Sequence, residues 1–491
     1  MSHENLAAVA PTGQLSAQLY TAPPTEQVPA AAPVDDVYSR SAGRHRFLEG
    51  AIAPVLMRQA FPILIVLAVQ TMVSVAETYF VGRLGTKSLA SMALVFPVLM
   101  LMTMVSNGGI GGGVSSAVAR AIGEKRMEDA NALIVHTLLI AAVCGMLCTA
   151  GAWIFGPMLY AKMGGSGAAL ENALRYSNLA FAAAVPIWIV NLLSAALRGA
   201  GDVRNPAMLV LAGSALTLTL SPLLIFGIGP VSGMGIAGAG VAMIVYYCGA
   251  TLALLAYLRS GRSSLRLTPA RIQMRLIKSV LVVGAPASIG ALQSNLIVVI
   301  FTGMIGHFGT SALAGYGIAS RIDYVLIPLL FALGTASIAM VSMNIGAGQY
   351  QRARQVALIA VGLSAGITGL IGLVAATRPE LWMAMFTTNQ EVAAFGASYL
   401  VHVAPFYVFS GIGMALVFAN QGARVVLGPM LAGTAIMAFC AVASWYCVVI
   451  ASDSVESLYW IIALSRVLLA TCMVTVLLTA SGWQANAKRG A

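Results

Sequence analysis

Phe80–Ala93, FVGRLGTKSLASMA, returns 224 residues later as Met304–Gly317, MIGHFGTSALAGYG. Five of the fourteen positions are identical: Gly82/Gly306, Gly85/Gly309, Thr86/Thr310, Leu89/Leu313 and Ala90/Ala314. Pro62 and Pro286 keep that offset, and an offset of 223 lays Ile122-Gly123 over Ile345-Gly346, Ala130 over Ala353 and Pro206 over Pro429. One match would be weak in a chain rich in Gly and Ala; matches in four places at a near-constant spacing mark an internal duplication.

The first copy follows an apolar run, and such runs fill the chain. Of 491 residues, 59% are hydrophobic and 9% charged, against about 25% charged in a soluble domain; the mean hydropathy is +0.88. Apolar segments divided by Gly, Pro and charged residues fall near 61–81, 90–113, 132–156, 171–194, 207–228, 236–257, 279–303, 313–341, 356–376, 394–417, 431–451 and 457–480. Each has about the 20 residues that crossing the hydrocarbon needs. The expected fold is all-α and polytopic, with twelve transmembrane helices in two six-helix lobes. Six spans per repeat is an even number, so both repeats enter from the same side and are parallel, related by an axis along the membrane normal. The organisation expected is a disordered cytoplasmic tail at 1–50, rich in Ala and Pro, lobes at 51–257 and 279–480, a basic linker at 258–278 and a C-terminal tail at 481–491.

The net charge of +11 follows topology. Twenty Lys and Arg lie on the side shared with the tail and linker, against four opposite, Arg83, Lys87, Lys162 and Arg378; positive residues stay inside, so both termini are expected in the cytoplasm. That asymmetry leaves no reason to expect a nucleic-acid partner. Six cysteines form no Cys-x-x-Cys pair, the histidines lack metal-ligand spacing, and Gly109–Gly113 has no Gly-Lys-Ser/Thr ending of a phosphate loop. The glycines read instead as close helix packing or a bend in the second span.

Of sixteen acids only Glu77 and Asp323 lie inside spans. A charge at membrane depth costs roughly 3 kcal/mol on insertion scales and normally faces the protein interior or a water-filled cavity. Gln70, Ser74 and Glu77 fall at i, i+4 and i+7, one polar stripe on an apolar cylinder. Protonation, Na⁺ binding and a cationic substrate could each neutralise Glu77 in turn, and mutual exclusion of that kind is the thermodynamic basis of antiport. Tyr316, Ser320 and Asp323 form a second stripe in the eighth span. Arg321 lies close in sequence but points to another face; Asp323 has both a coupling reading and a helix-packing reading, and Arg466 is a further cation within a span. Asn191, Gln293 and Asn295 supply amides that suit either a substrate pathway or contacts between helices.

These residues resemble the multidrug and toxic compound extrusion (MATE) family. The resemblance rests on Pro62, on Glu77–Gly85 (acid, Thr-x-Phe-Val-Gly-x-Leu-Gly), on Ala-Arg-Ala-Ile-Gly at 119–123, on Arg-Gly-x-Gly-Asp-x-x-x-Pro at 198–206, and on the repeats of these features in the second half. It implies export of cationic or amphipathic organic compounds across a bacterial inner membrane by antiport with H⁺ or Na⁺, without a cofactor, by a chain expected to act as a monomer in the bilayer. Two departures stand out. Many relatives carry Asp where Glu77 stands, and many carry an acid in the fifth span where Thr217 and Ser221 precede Pro222 here. Another branch has an acid in the seventh span, where this chain has Gln293, Ser294 and Asn295. A lipid-precursor flippase shares the two-lobe plan but would need several cations in its cavity, and a membrane-embedded enzyme would need a His, Asp or Cys cluster near one face. Phe301 occupies the place of Glu77 in the second copy.

Overall fold

Residues 42–228, 231–451 and 454–484 are described by a computed structural model. Among the described residues, eleven helices are long and apolar enough to cross a membrane: α1 (Ile52–Gly82), α2 (Thr86–Gly123), α3 (Met127–Lys162), α5 (Arg204–Phe226), α6 (Ile236–Arg259), α7 (Met274–Gly306), α8 (Thr310–Gly346), α9 (Tyr350–Thr377), α10 (Gln390–Gly422), α11 (Leu427–Ile450) and α12 (Val455–Thr479). The twelfth, α4, is a pair, Gly167–Ala182 and Ala184–Gly199, bent by 46°. Most helices outrun the apolar segments at one or both ends. A two-residue antiparallel pair, Gly227–Ile228 with Val231–Ser232, closes the connection from α5 to α6.

The duplication is written in the backbone. Between α1 and α2, Gly85 sits at φ +107°, and between α7 and α8 Gly309 sits at φ +100°, a region that residues with a Cβ avoid. Leu84 and Phe308 donate to Val81 O and Ile305 O, both at 3.0 Å. The other ends of α2 and α8 close in the same Schellman geometry: Lys125 and Gly348 take left-handed φ, and Arg126 N–H and Gln349 N–H each reach back five residues, to Ala121 O and Asn344 O at 2.8 Å. Gly201 after α4 and Arg424 after α10 repeat the motif.

The lobes meet along α2 and α8 at the end that carries the connection 260–273, the linker face. A Cβ on Gly123 would stand 2.3 Å from Met343 O, and one on Gly346 would stand 2.5 Å from Arg120 O. Each glycine admits the other helix, as a pseudo-two-fold axis through the crossing requires. Ser342 Oγ donates to Gly422 O at 2.8 Å, Ser116 Oγ to Gln421 O at 3.2 Å, and the two hydroxyls lie 2.9 Å apart. Small residues let the backbones approach, and hydroxyls join them, as expected where lipid removes the hydrophobic drive between helices. Every described position of α8 from Ala332 to Gly346 is buried, and on α2 every position from Ile110 to Gly123 except Arg120; burial is far sparser towards the opposite ends of both helices. The seam is sealed at the linker face. The glycine cluster of α2 serves close packing, since Gly113 abuts the backbone of α7 at Val280 and Gly284, and Val105–Ile110 winds as a π-turn.

Two expectations are corrected at the chain ends. Residues 1–41 lie outside the described set, but Ala42–Glu49, read as part of a disordered tail, is helical. Phe47 and Leu48 are buried; Asn344 and Arg352, of α8 and α9, donate to Phe47 O at 3.1 and 3.3 Å, and Arg352 also reaches Gly50 O. A two-residue apolar anchor is too short to register as periodicity. Trp483, placed in the C-terminal tail, is buried and donates through Nε1 to Asn420 Oδ1 at 2.9 Å. The linker docks comparably on α3: Leu265 is buried, Asn131 Oδ1 accepts Arg266 N–H at 2.9 Å, and His136 Nε2 accepts Gln273 N–H at 2.8 Å. Each lobe is thus strapped to the other by the segment that precedes its first span.

Candidate functional site

The two membrane-depth acids have opposite surroundings. Glu77, half-buried on α1, makes no hydrogen bond and no ion pair among the described residues. Its charge is felt by the phenols of Tyr176 on α4 and Tyr247 on α6 of the same lobe. Gln70 and Ser74 are half-buried on the same stripe. Within the helix, Ser74 O accepts from Thr78 Oγ1 at 2.8 Å.

Asp323 on α8 is neutralised. Arg466 of α12 donates to Oδ1 at 3.0 Å and to Oδ2 at 3.2 Å, and Tyr399 Oη of α10 adds a bond to Oδ2 at 3.2 Å. Arg466 also donates to Ser410 Oγ at 2.7 Å, and its guanidinium lies 4.8 Å from the centre of the Tyr407 ring. Tyr316 packs edge-on against Tyr399 at 5.4 Å between ring centres, and Tyr399 against Tyr459 at 5.3 Å. Three helices of lobe two are tied together around one ion pair. Arg321 takes no part: it is exposed, with its guanidinium 5.6 Å from the Phe386 ring centre.

The amides divide. Asn191 is buried and donates to Ser106 Oγ at 2.8 Å, joining α4 to α2. Gln293 is buried and donates to Thr434 Oγ1 at 2.7 Å and Met430 O at 3.3 Å, joining α7 to α11. Both amides are engaged in holding helices together. Asn295 is exposed, and its Nδ2 donates to Ala291 O at 2.9 Å and lies 3.3 Å from Met104 Sδ, reaching from α7 towards α2 of the other lobe. The residues that sequence reasoning missed are the aromatic and basic partners, Tyr176 and Tyr247 near Glu77 and Arg466, Tyr399 and Tyr407 around Asp323. Arg466 carried a signal, because a cation inside a span needs a counter-charge.

Known proteins place this arrangement. The MatE family model matches residues 62–223 and again 286–447, two matches whose starts repeat the offset between Pro62 and Pro286. The chain is 29% identical over 380 residues to the FAD transporter of Shewanella oneidensis, covering 77% of this chain and 83% of that protein. It is 25% identical over 375 residues to a probable multidrug resistance protein of Bacillus subtilis, covering 75% and 81%. The outward-facing structure of a multidrug resistance MATE family transporter superposes with a TM-score of 0.81 at 23% identity, over 90% of this chain and 99% of that one. The chain belongs to the MatE family, the MATE transporters.

Proposed function

We propose that this protein is a secondary active exporter of cationic or amphipathic organic compounds, driven by inward flow of H⁺ or Na⁺, with Glu77 as the coupling carboxylate. The observation that carries the reading is the isolation of Glu77. An acid held among helices without a fixed counter-charge gains from whichever cation reaches it, and a group that only one cation can neutralise at a time makes ion entry and substrate exit alternatives. Tyr176 and Tyr247 would supply neutral oxygens beside the carboxylate. Asp323 is already satisfied by Arg466 and Tyr399, so its role in this reading is to fix lobe two. With the linker face in the cytoplasm of an inner membrane, as the distribution of Lys and Arg favours, the sealed seam corresponds to a state closed to the inside. Rocking the two lobes about the Gly123–Gly346 crossing would exchange it for the other.

The similarity to an FAD transporter favours a second reading, export of a flavin dinucleotide. One experiment separates the two. Purified protein in liposomes is offered a fluorescent organic cation and FAD in turn, with the H⁺ and Na⁺ gradients imposed and collapsed separately. The first reading expects uphill movement of the cation that stops when one of the two gradients is removed; uphill movement of FAD alone would overturn it.

A further inference from the structure

At the linker end of the seam, α2, α3, α7 and the turn after α10 surround a cavity of about 350 Å³. Its walls carry Arg120, Arg126, Arg275, Lys278 and Arg424, with Asp129 as the acid among them. Asp129 is engaged from two sides, by Arg126 at 3.0 Å and by Arg275 at 2.7 and 3.1 Å, and Arg126 also pairs with Glu124. Arg120, Lys278 and Arg424 have no ion pair among the described residues. Arg120 donates once, to Gly422 O at 3.2 Å, and its Nε is buried with no hydrogen-bond partner.

Orientation by positive charge accounts for cations that face solvent or headgroups; it does not account for a buried, orphaned guanidinium nitrogen. Nor does the fold require these charges. The pseudo-symmetric positions across the seam are Met343, Gln349, Ala51, Pro54 and Gly201, all neutral, and the Ala42–Glu49 helix packs on that side. Arg424 is the sharpest case. It holds a left-handed φ of +60° where its counterpart is Gly201 at φ +86°, a conformation that glycine adopts and a side chain disfavours. Its side chain is exposed and lines the cavity beside Arg120 and Lys278.

We propose that this cavity binds a phosphate group, presented by an anionic lipid or by a soluble phosphate or diphosphate, and that the bound anion joins Arg120 of lobe one to Lys278 and Arg424 of lobe two. Guanidinium forks and an ammonium are the donors that phosphate oxygens take best. A ligand held from both lobes stabilises the state in which the linker face is closed, by binding that state in preference to one that separates the cations. The site lies apart from Glu77 and does not depend on which ion drives transport.

The test uses the full chain in nanodiscs of phosphatidylcholine. One arm replaces part of the lipid with phosphatidylglycerol; the other adds inorganic diphosphate at constant ionic strength with chloride as the control. The melting midpoint is followed in the wild type, in Arg424→Gly/Lys278→Gln, and in Lys278→Gln alone. The wild type is expected to melt higher in at least one arm, the lipid arm identifying a headgroup and the diphosphate arm a soluble anion. With each cation worth about a factor of five, the double variant should bind about 25-fold more weakly and Lys278→Gln about fivefold. Glycine removes the backbone strain at position 424, and Lys278 is exposed, so both variants are expected to fold. Glu77→Gln should leave the anion response unchanged. No shift of the wild type in either arm, or a double variant that responds as the wild type does, overturns the proposal.

Discussion

Lobe one and lobe two share their turns, their caps and the glycines of their crossing, yet they treat a membrane-depth acid in opposite ways. In lobe two Asp323 is held by Arg466 on two oxygens and by Tyr399 on one, across α8, α10 and α12. In lobe one the charge of Glu77 on α1 is felt by the phenols of Tyr176 and Tyr247, and its counterpart in the repeat is the buried Phe301. A duplicated frame therefore does not duplicate chemistry. The paired acid is satisfied within lobe two, whereas the unpaired acid has no fixed counter-charge among the described residues.

Removing one partner of the Asp323–Arg466 pair is expected to have the largest cost. Arg466→Ala strands the carboxylate and is expected to destabilise the full chain by about 3–5 kcal/mol, whereas the joint change Arg466→Met with Asp323→Leu should recover most of that. Thermal melting in detergent measures both, and an unchanged midpoint in Arg466→Ala would break the contrast. Next in size, Phe301→Glu places an acid in lobe two where lobe one tolerates one. Phe301 is buried in an apolar cluster, so the cost should be roughly 3 kcal/mol, and a variant as stable as wild type would mean that lobe two also has room for an unpaired charge. Gly346→Val tests what the lobes share. Its Cβ would press on Arg120 O, and overpacking of that kind costs about 1–3 kcal/mol; a disulfide-trapping pair across the linker face should then form more slowly.

Much of the frame was legible because it depends on residues that only one kind of backbone accepts. Gly85 and Gly309 recur at a fixed spacing because both turns need positive φ, and Gly123 and Gly346 because two helices cross there. The site was legible only in part. Helix phase put Gln70, Ser74 and Glu77 on one face and set Arg321 aside from Asp323, but it could not say which cation, 143 residues away, would meet Asp323. Spacing within one helix carries no information about contacts between helices. The same limit concealed the tail helix, whose anchors Phe47 and Leu48 gain meaning only from the groove on α8 and α9.

The measurement that bears most directly on the difference between the lobes is ion-driven efflux of an organic cation from proteoliposomes by Glu77→Gln and Asp323→Asn side by side. Removing the unpaired charge should abolish gradient-dependent transport while the protein stays inserted and folded, and Asp323→Asn should give a weaker defect with its ion dependence altered only in size. Wild-type transport by Glu77→Gln, or loss of coupling confined to Asp323→Asn, would contradict the account.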